Sequence, residues 1–190
     1  MNESRVREIF KKTGVLQGGH FKLTSGKHSS QYLQCAQVFQ YPEYVKELCE
    51  ELASRFDERE IDVVIAPAIG GIIMSYAMGA ALGKKTIFAE REEGEMTLRR
   101  GFRINEGDKV LLVEDVTTTG GSVREVIDVV EKNGGDLVGV GILVDRSGGE
   151  VDFGVQKEAL LTVEVEAYEP EECPLCEKGL PIDKPGSRDI

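Results

Sequence analysis

A chain of 190 residues, 41% hydrophobic and 30% charged, is long enough for one globular domain with a substantial core. Its net charge of −11 argues against a broad nucleic-acid or anionic-membrane surface, since both reward clustered Lys and Arg, but it leaves room for a small local basic site. No apolar run approaches ~18 residues, and the N-terminal MNESRVREIFKKTG lacks the apolar centre of a signal peptide, so the expectation is a cytoplasmic protein whose four cysteines are reduced unless they hold metal.

Residues 3–13 are expected to form a helix with Val6, Ile9 and Phe10 on one face, too polar for the core and placed at a sheet edge or on a partner subunit. In GGHFKLTSGKHSSQYLQC, residues 21–23 and 31–35 read as two short strands around a polar turn. Residues 42–56 read as a helix, with Pro42 in its first turn and an apolar stripe of Val45, Leu48, Cys49 and Leu52. A buried strand over 62–66 runs into PAIGG, and a helix over 71–82 follows, its Ala, Met and Gly indicating close packing. Another strand spans 85–90. The stretch REEGEMTLRRGFR then carries Arg91, Arg99, Arg100 and Arg103, with residues 96–98 and 102–104 expected to pair as a hairpin.

The most informative stretch is KVLLVEDVTTTGGSV, residues 109–123. It reads as a buried strand to Val113, an acidic end at Glu114 and Asp115, a threonine- and glycine-rich loop, then a helix with Val123, Val126, Ile127 and Val130 on one face. Such a loop aims amides, hydroxyls and a helix N-terminus at one point, which suits a phosphate. The two acids suit sugar hydroxyls or a hydrated metal ion, so together they indicate a phosphorylated sugar. A P-loop is ruled out because no Lys-Ser/Thr pair follows the last glycine, and a dinucleotide fingerprint because an acid pair separates strand from glycines.

A strand over 136–144 follows and ends in Asp145-Arg146-Ser147-Gly148-Gly149; a surface pair between Asp145 and Arg146 is one reading of that end. Residues 160–165 alternate as an edge strand. In the tail, Cys173 and Cys176 form a Cys-x-x-Cys pair, half a zinc knuckle. With Cys35 and Cys49 on core elements, an intrachain four-cysteine site is not expected. A helix-tip pair of reduced thiols is, with zinc shared across a dimer as the alternative.

VLLVEDVTTTGGS resembles, at every position, the phosphoribosyl pyrophosphate (PRPP) motif of type I phosphoribosyltransferases: four apolar residues, two acids, and a Thr/Gly loop opening a helix. Gly19, Phe21, Leu23, Ser25, Gly26, Ser29 and Tyr32 resemble the N-terminal signature of the orotate phosphoribosyltransferases in that family, although Thr24 stands where many members have Lys. The resemblance runs from about Gly18 to Arg146 and leaves the tail uncovered. It implies an α/β fold, a central mostly parallel sheet flanked by helices, with a small hood from the N-terminal strands and the later hairpin. The whole is one domain, with hood about 1–40, core about 41–168 and tail 169–190.

The implied reaction is Mg2+-dependent transfer of phosphoribosyl from PRPP to orotate, giving orotidine 5′-monophosphate and pyrophosphate. The resemblance implies that Val116, Thr117, Thr118, Thr119, Gly120, Gly121 and Ser122 hold the 5′-phosphate, and that Glu114 and Asp115 hold the ribose hydroxyls, Asp115 reaching the metal through water. Ala68, Ile69, Gly70 and Gly71 form the pyrophosphate loop, which in the family often contains a strained peptide bond. Many orotate enzymes have a Lys in that loop, and Ala68-Ile69 supplies none. Arg146 pairs with the orotate carboxylate, beside Thr118, Tyr32 and Leu33. The family's mobile loop falls at residues 91–103, but its usual Lys and His are absent, so Arg91, Arg99 or Arg100 takes the cationic role, often across a homodimer. Lys184 and Arg188 are possible contributors to a neighbouring site. The alternatives are a purine-type phosphoribosyltransferase, which lacks the LTSGKHS segment and the strand-end Arg, and a non-catalytic PRPP-sensing regulator, which would usually carry an added nucleic-acid-binding module. A PRPP synthetase-like subunit would need a much longer chain.

Overall fold

A computed structural model gives the protein's structure over residues 1–23, 25–164 and 166–185; Thr24, Val165 and Arg188 lie outside the described residues. Among the described residues, eight strands form two sheets. The hairpin of β1 (Leu16–Lys22) and β2 (His28–Leu33) stands apart from a six-stranded sheet of β3 (Val63–Pro67), β4 (Lys85–Glu92), β5 (Glu95–Leu98), β6 (Lys109–Thr117), β7 (Asp136–Asp145) and β8 (Gln156–Thr162). The order is β5-β4-β3-β6-β7-β8, parallel throughout except for β5.

The chain leaves β3 toward β4 on one side and returns with β6 on the other. The connections therefore diverge between β3 and β6, the place where such sheets take ligands at their carboxyl ends. The helices are α1 (Glu3–Lys12), α2 (Pro42–Ala53), α3 (Gly71–Leu82), α4 (Gly121–Lys132) and the short α5 (Pro174–Glu177).

Period-two alternation in the central strands divides the core between the two faces. Val64 and Ala66 of β3 and Leu111 and Val113 of β6 pack with α1, α2 and α3. Val63, Ile65, Val110 and Leu112 pack with Val123, Val126 and Val130 of α4. The α3 helix lies so close to the sheet that a Cβ on Gly79 would stand 1.9 Å from Thr86 Cγ2, which accounts for the small residues of that helix.

Four expectations need correction. The α1 helix is at the β8 edge of the sheet, yet Val6, Ile9 and Phe10 are at most 1% exposed and belong to the main core. A narrow stripe of three large apolar residues is enough for that, whatever the mean polarity. The later hairpin pairs β4 with β5, not residues 96–98 with 102–104. Its two-residue turn places both Glu93 (φ 52°) and Gly94 (φ 92°) in the left-handed region, as a tight hairpin requires. That hairpin extends the main sheet and takes no part in a hood. Instead β1–β2 is joined by the tail: the amides of Lys22 and His28 donate to the carbonyls of Asp183 and Tyr168, each 2.8 Å. Finally, the edge strand β8 begins at Gln156, four residues before the alternation read from sequence.

Candidate active site

The strand β6 does not stop at Val113. Val116 and Thr117 are β-branched, favour extended backbone, and pair with Val144 and Asp145 of β7. The acid pair is therefore held on a strand, and the loop shrinks to Thr118–Gly120. The Val116 side chain is half-buried against the core, and Thr117 is 3% exposed. Thr118 and Thr119 are exposed. Gly120 (φ 77°) makes the turn into α4, and a Cβ there would lie 2.8 Å from the Phe153 ring. No side chain caps α4, so the first-turn amides remain available beside the Thr118, Thr119 and Ser122 hydroxyls.

Glu114 is 7% exposed. Burial, and then the negative charge of Asp115, push its carboxyl up to about 9. Burial also raises Asp115, whose Oδ1 accepts from the Val116 amide at 2.9 Å. These are hard oxygen donors in a dry setting, a donor set that suits Mg2+, and a cation beside them would restore the ionised forms. On the neighbouring strand, β3 runs into Ala68–Gly70. The Ala68–Ile69 peptide is cis, and Ile69 is 85% exposed. The Ala68 amide is tied to the Ala89 carbonyl at 2.7 Å. Here too no side chain caps the following helix, α3. Two uncapped helix N-termini thus open at the ends of β3 and β6, the second of which holds the two acids.

Arg146 follows β7, its amide donating to the Thr117 carbonyl at 2.8 Å. The surface pair with Asp145 does not form. Asp145, 1% exposed, is taken by Lys157 at 2.9 Å and by the Ser147 amide and hydroxyl. Burial works against the charge of Asp145, but Ser147 and Lys157 outweigh it and hold the carboxyl below its usual range. Among the described residues the Arg146 Nε and the Thr117 Oγ1 are buried without a hydrogen-bond partner. Lys157 is the residue that sequence reasoning missed: it occupies Asp145 and so leaves Arg146 unpaired. Its only signal was a lysine on the adjoining strand.

On the hairpin, Tyr32 stacks near Phe21 with ring centroids 5.6 Å apart. The Leu33 side chain is buried in the main core, so only its backbone can meet a ligand. Cys35, which opens a 3-10 helix over Cys35–Gln40, is buried, and its thiol is pushed up first by burial and then by Asp115, with Arg146 opposing; that segment closes the rear of the acid pair.

The structure does not bring the arginines together with the acids. Arg91 reaches Glu125 of α4 at 2.6 Å, Arg99 pairs with Glu92 at 3.1 Å, and Arg100 pairs with Glu90 at 2.9 Å. Arg99 and Arg100 follow the outermost strand, three strand spacings or ~14 Å from β6. Lys184 lies in the tail, beyond the strand-like contact of Asp183 with β1.

Comparison with known proteins matches residues 36–155 to the phosphoribosyl transferase domain family. Two curated relatives, from Desulforamulus reducens and Pelotomaculum thermopropionicum, are 58% and 59% identical over all 190 residues and over the whole of each relative; both are named orotate phosphoribosyltransferase. A solved orotate phosphoribosyltransferase from Aeropyrum pernix is similar with a TM-score of 0.68 at 25% identity, covering 84% of this chain and 94% of that one. An adenine phosphoribosyltransferase from Rhodothermus marinus shares the fold with a TM-score of 0.65 at 21% identity, covering 84% of this chain and 99% of that one.

Proposed function

The chain belongs to the phosphoribosyl transferase family, and from that membership we infer its reaction: it is an orotate phosphoribosyltransferase, a pentosyltransferase of pyrimidine biosynthesis. It moves the phosphoribosyl group of PRPP to orotate and releases orotidine 5′-monophosphate and pyrophosphate. The observation that carries orotate over a purine is Arg146. Its Nε is buried and unpartnered, because Lys157 has claimed the neighbouring Asp145. A planar guanidinium in that state matches a carboxylate with two parallel hydrogen bonds, and a purine offers no carboxylate.

The other residues take roles that follow from their positions. The uncapped start of α4, with Thr118, Thr119 and Ser122, holds the 5′-phosphate. The loop of Ala68, Ile69, Gly70 and Gly71 holds the pyrophosphate. Glu114 and Asp115 accept hydrogen bonds from the ribose hydroxyls, and their charge favours the positive sugar as the bond from the anomeric carbon to pyrophosphate oxygen breaks. The electron pair leaves with pyrophosphate, and a ring nitrogen of orotate forms the new bond. Asp115 would hold Mg2+, which when bound would supply positive charge to the leaving group. Tyr32 and the Leu33 backbone border the orotate ring beside Thr118. No general base is needed, because the attacking nitrogen is readily deprotonated, so the absence of a histidine from the site is no obstacle.

Arg91 serves the departing pyrophosphate, and Arg99 and Arg100 serve it from a second copy of the chain. The distance of Arg99 and Arg100 from β6 within one chain supports a contribution across a homodimer. The exposed side chains Ile73 and Tyr76, 47% and 71% exposed on α3, offer an apolar face for that copy. Free thiols at Cys35 and Cys49 fit the reducing cytoplasm.

The test mixes the protein with PRPP, Mg2+ and single bases and follows pyrophosphate release. Release with orotate and not with adenine or guanine is expected. Release with a purine alone overturns the specificity, and no release with any base points to a PRPP sensor.

A further inference from the structure

Both histidines of the chain and two of its four cysteines meet at one point, away from the acid pair. His20 comes from β1, His28 from β2, and Cys173 and Cys176 from the start of α5. One ligand atom from each lies within 4.8 Å of the other three, a grouping that occurs once among the described residues.

His20 Nε2 is 3.2 Å from His28 Nδ1, 3.6 Å from Cys173 Sγ and 3.7 Å from Cys176 Sγ, and Cys176 Sγ is 3.3 Å from His28 Nδ1. These are four of the six edges of a tetrahedron of ligand atoms, and the other two are no longer than 4.8 Å. With zinc–nitrogen bonds of about 2.05 Å and zinc–sulfur bonds of about 2.3 Å, ideal N–N and N–S edges are about 3.3 and about 3.6 Å.

Hydrogen bonding alone does not account for the cluster. The other nitrogen of His20, Nδ1, lies 2.9 Å from the Leu180 carbonyl. A carbonyl only accepts, so Nδ1 carries the proton and Nε2 presents a lone pair. Three neighbours converge on that one lone pair, and it can accept one good hydrogen bond. A cation at the centre satisfies all four groups. The Nδ1–carbonyl bond is also the outer contact that orients a ligating imidazole.

We propose that His20, His28, Cys173 and Cys176 form a closed structural zinc site that clips the C-terminal tail to the β1–β2 hairpin. Two thiolates and two imidazoles select zinc over the hard ions Mg2+ and Ca2+. Four protein ligands leave no position for a substrate. The clip has a mechanical purpose, since a lone two-stranded hairpin is marginal in water and this one stands outside the main sheet. The expected pair of reduced thiols is thereby replaced by a four-ligand site drawn from within one chain.

The test measures zinc in intact protein purified without chelator from zinc-supplemented medium. About one zinc per chain is expected, and cobalt(II) in its place should give tetrahedral d–d absorption with thiolate charge-transfer bands. Cys176→Ala and His28→Ala each lose the metal, while Cys49→Ala keeps it. Should the ligand variants fail to fold, the wild type still decides the matter. On chelation, amide exchange at Lys22 and His28 accelerates while β6 stays protected. Wild-type protein that holds no zinc and takes up none on dialysis overturns the proposal. So does cobalt without a thiolate band, or hairpin exchange indifferent to metal removal.

Discussion

The Asp115 carboxylate lies directly against the backbone of Gly70: a Cβ built on Gly70 would stand 3.1 Å from Oδ2 and 3.3 Å from Oδ1. This contact joins the end of β6 to the loop after β3, the two strand ends between which the sheet's connections diverge. Gly70→Ala therefore displaces Asp115 by a few tenths of an ångström while leaving the core untouched. We expect kcat/KM for PRPP to fall by about tenfold or more, since small misplacements at a reacting centre are costly. The thermal midpoint should stay near wild type. Full activity in Gly70→Ala would mean that Asp115 has slack and is not a positioned group.

Arg146→Ala removes a guanidinium that has no protein partner at its Nε. Charged hydrogen bonds to a ligand contribute about 1.5–3 kcal/mol, so kcat/KM for orotate should drop by roughly 10- to 150-fold. Stability should change by less than about 0.5 kcal/mol, because no ion pair is broken. A large loss of stability with KM for orotate unchanged would make Arg146 a structural residue.

The buried Glu114 makes stability depend on pH in the ligand-free protein. Its folded-state value, pushed up to about 9 by burial and by Asp115, lies above that of an unfolded glutamate. Between those two values the folded chain binds more protons than the unfolded one, so stability falls as pH rises through that window. Denaturant titrations at pH 6 and pH 8.5 should show a steeper loss for wild type than for Glu114→Gln, which cannot ionise. Equal slopes would show that Glu114 is already charged at pH 6.

Phe10→Ala tests the buried face of α1. Removing a fully buried phenyl costs about 3–5 kcal/mol, which chemical denaturation would register, with turnover per folded molecule retained. A change below about 1 kcal/mol would return α1 to the role of a surface cap.

Replacing Arg99 and Arg100 together with alanine should lower kcat with little effect on the KM for orotate. Mixing this variant with an Arg146→Ala variant would recover activity if the cations act across a dimer. Unchanged turnover in the double variant removes both residues from the mechanism.

Local chemistry carried much of the structure. The helix over Gly71–Leu82 was readable to the residue, since a strand runs straight into Gly70-Gly71 and Gly83 closes the far end. The acid pair and Thr/Gly loop were readable because one contiguous stretch holds strand, anion site and helix start. What failed was non-local. The end of β6 extends to Thr117 because β7 offers it partners, a pairing invisible in the run itself. His20 and Cys173 are 153 positions apart, and only the pairing of the tail with the hairpin brings them together. Arg146 kept its freedom through a lysine on another strand, which no motif encodes.

The tail's pairing with β1 and β2 has a consequence for synthesis. The hairpin leaves the ribosome among the first segments, while Tyr168 and Asp183, to which its edges bond, leave among the last. The six-stranded sheet is complete once Thr162 has emerged. A nascent chain therefore completes the strand ends that carry Glu114 and Asp115 before the β1–β2 hairpin is fastened to the tail. A message cut short after β8 would yield a folded sheet with a loose N-terminal hairpin.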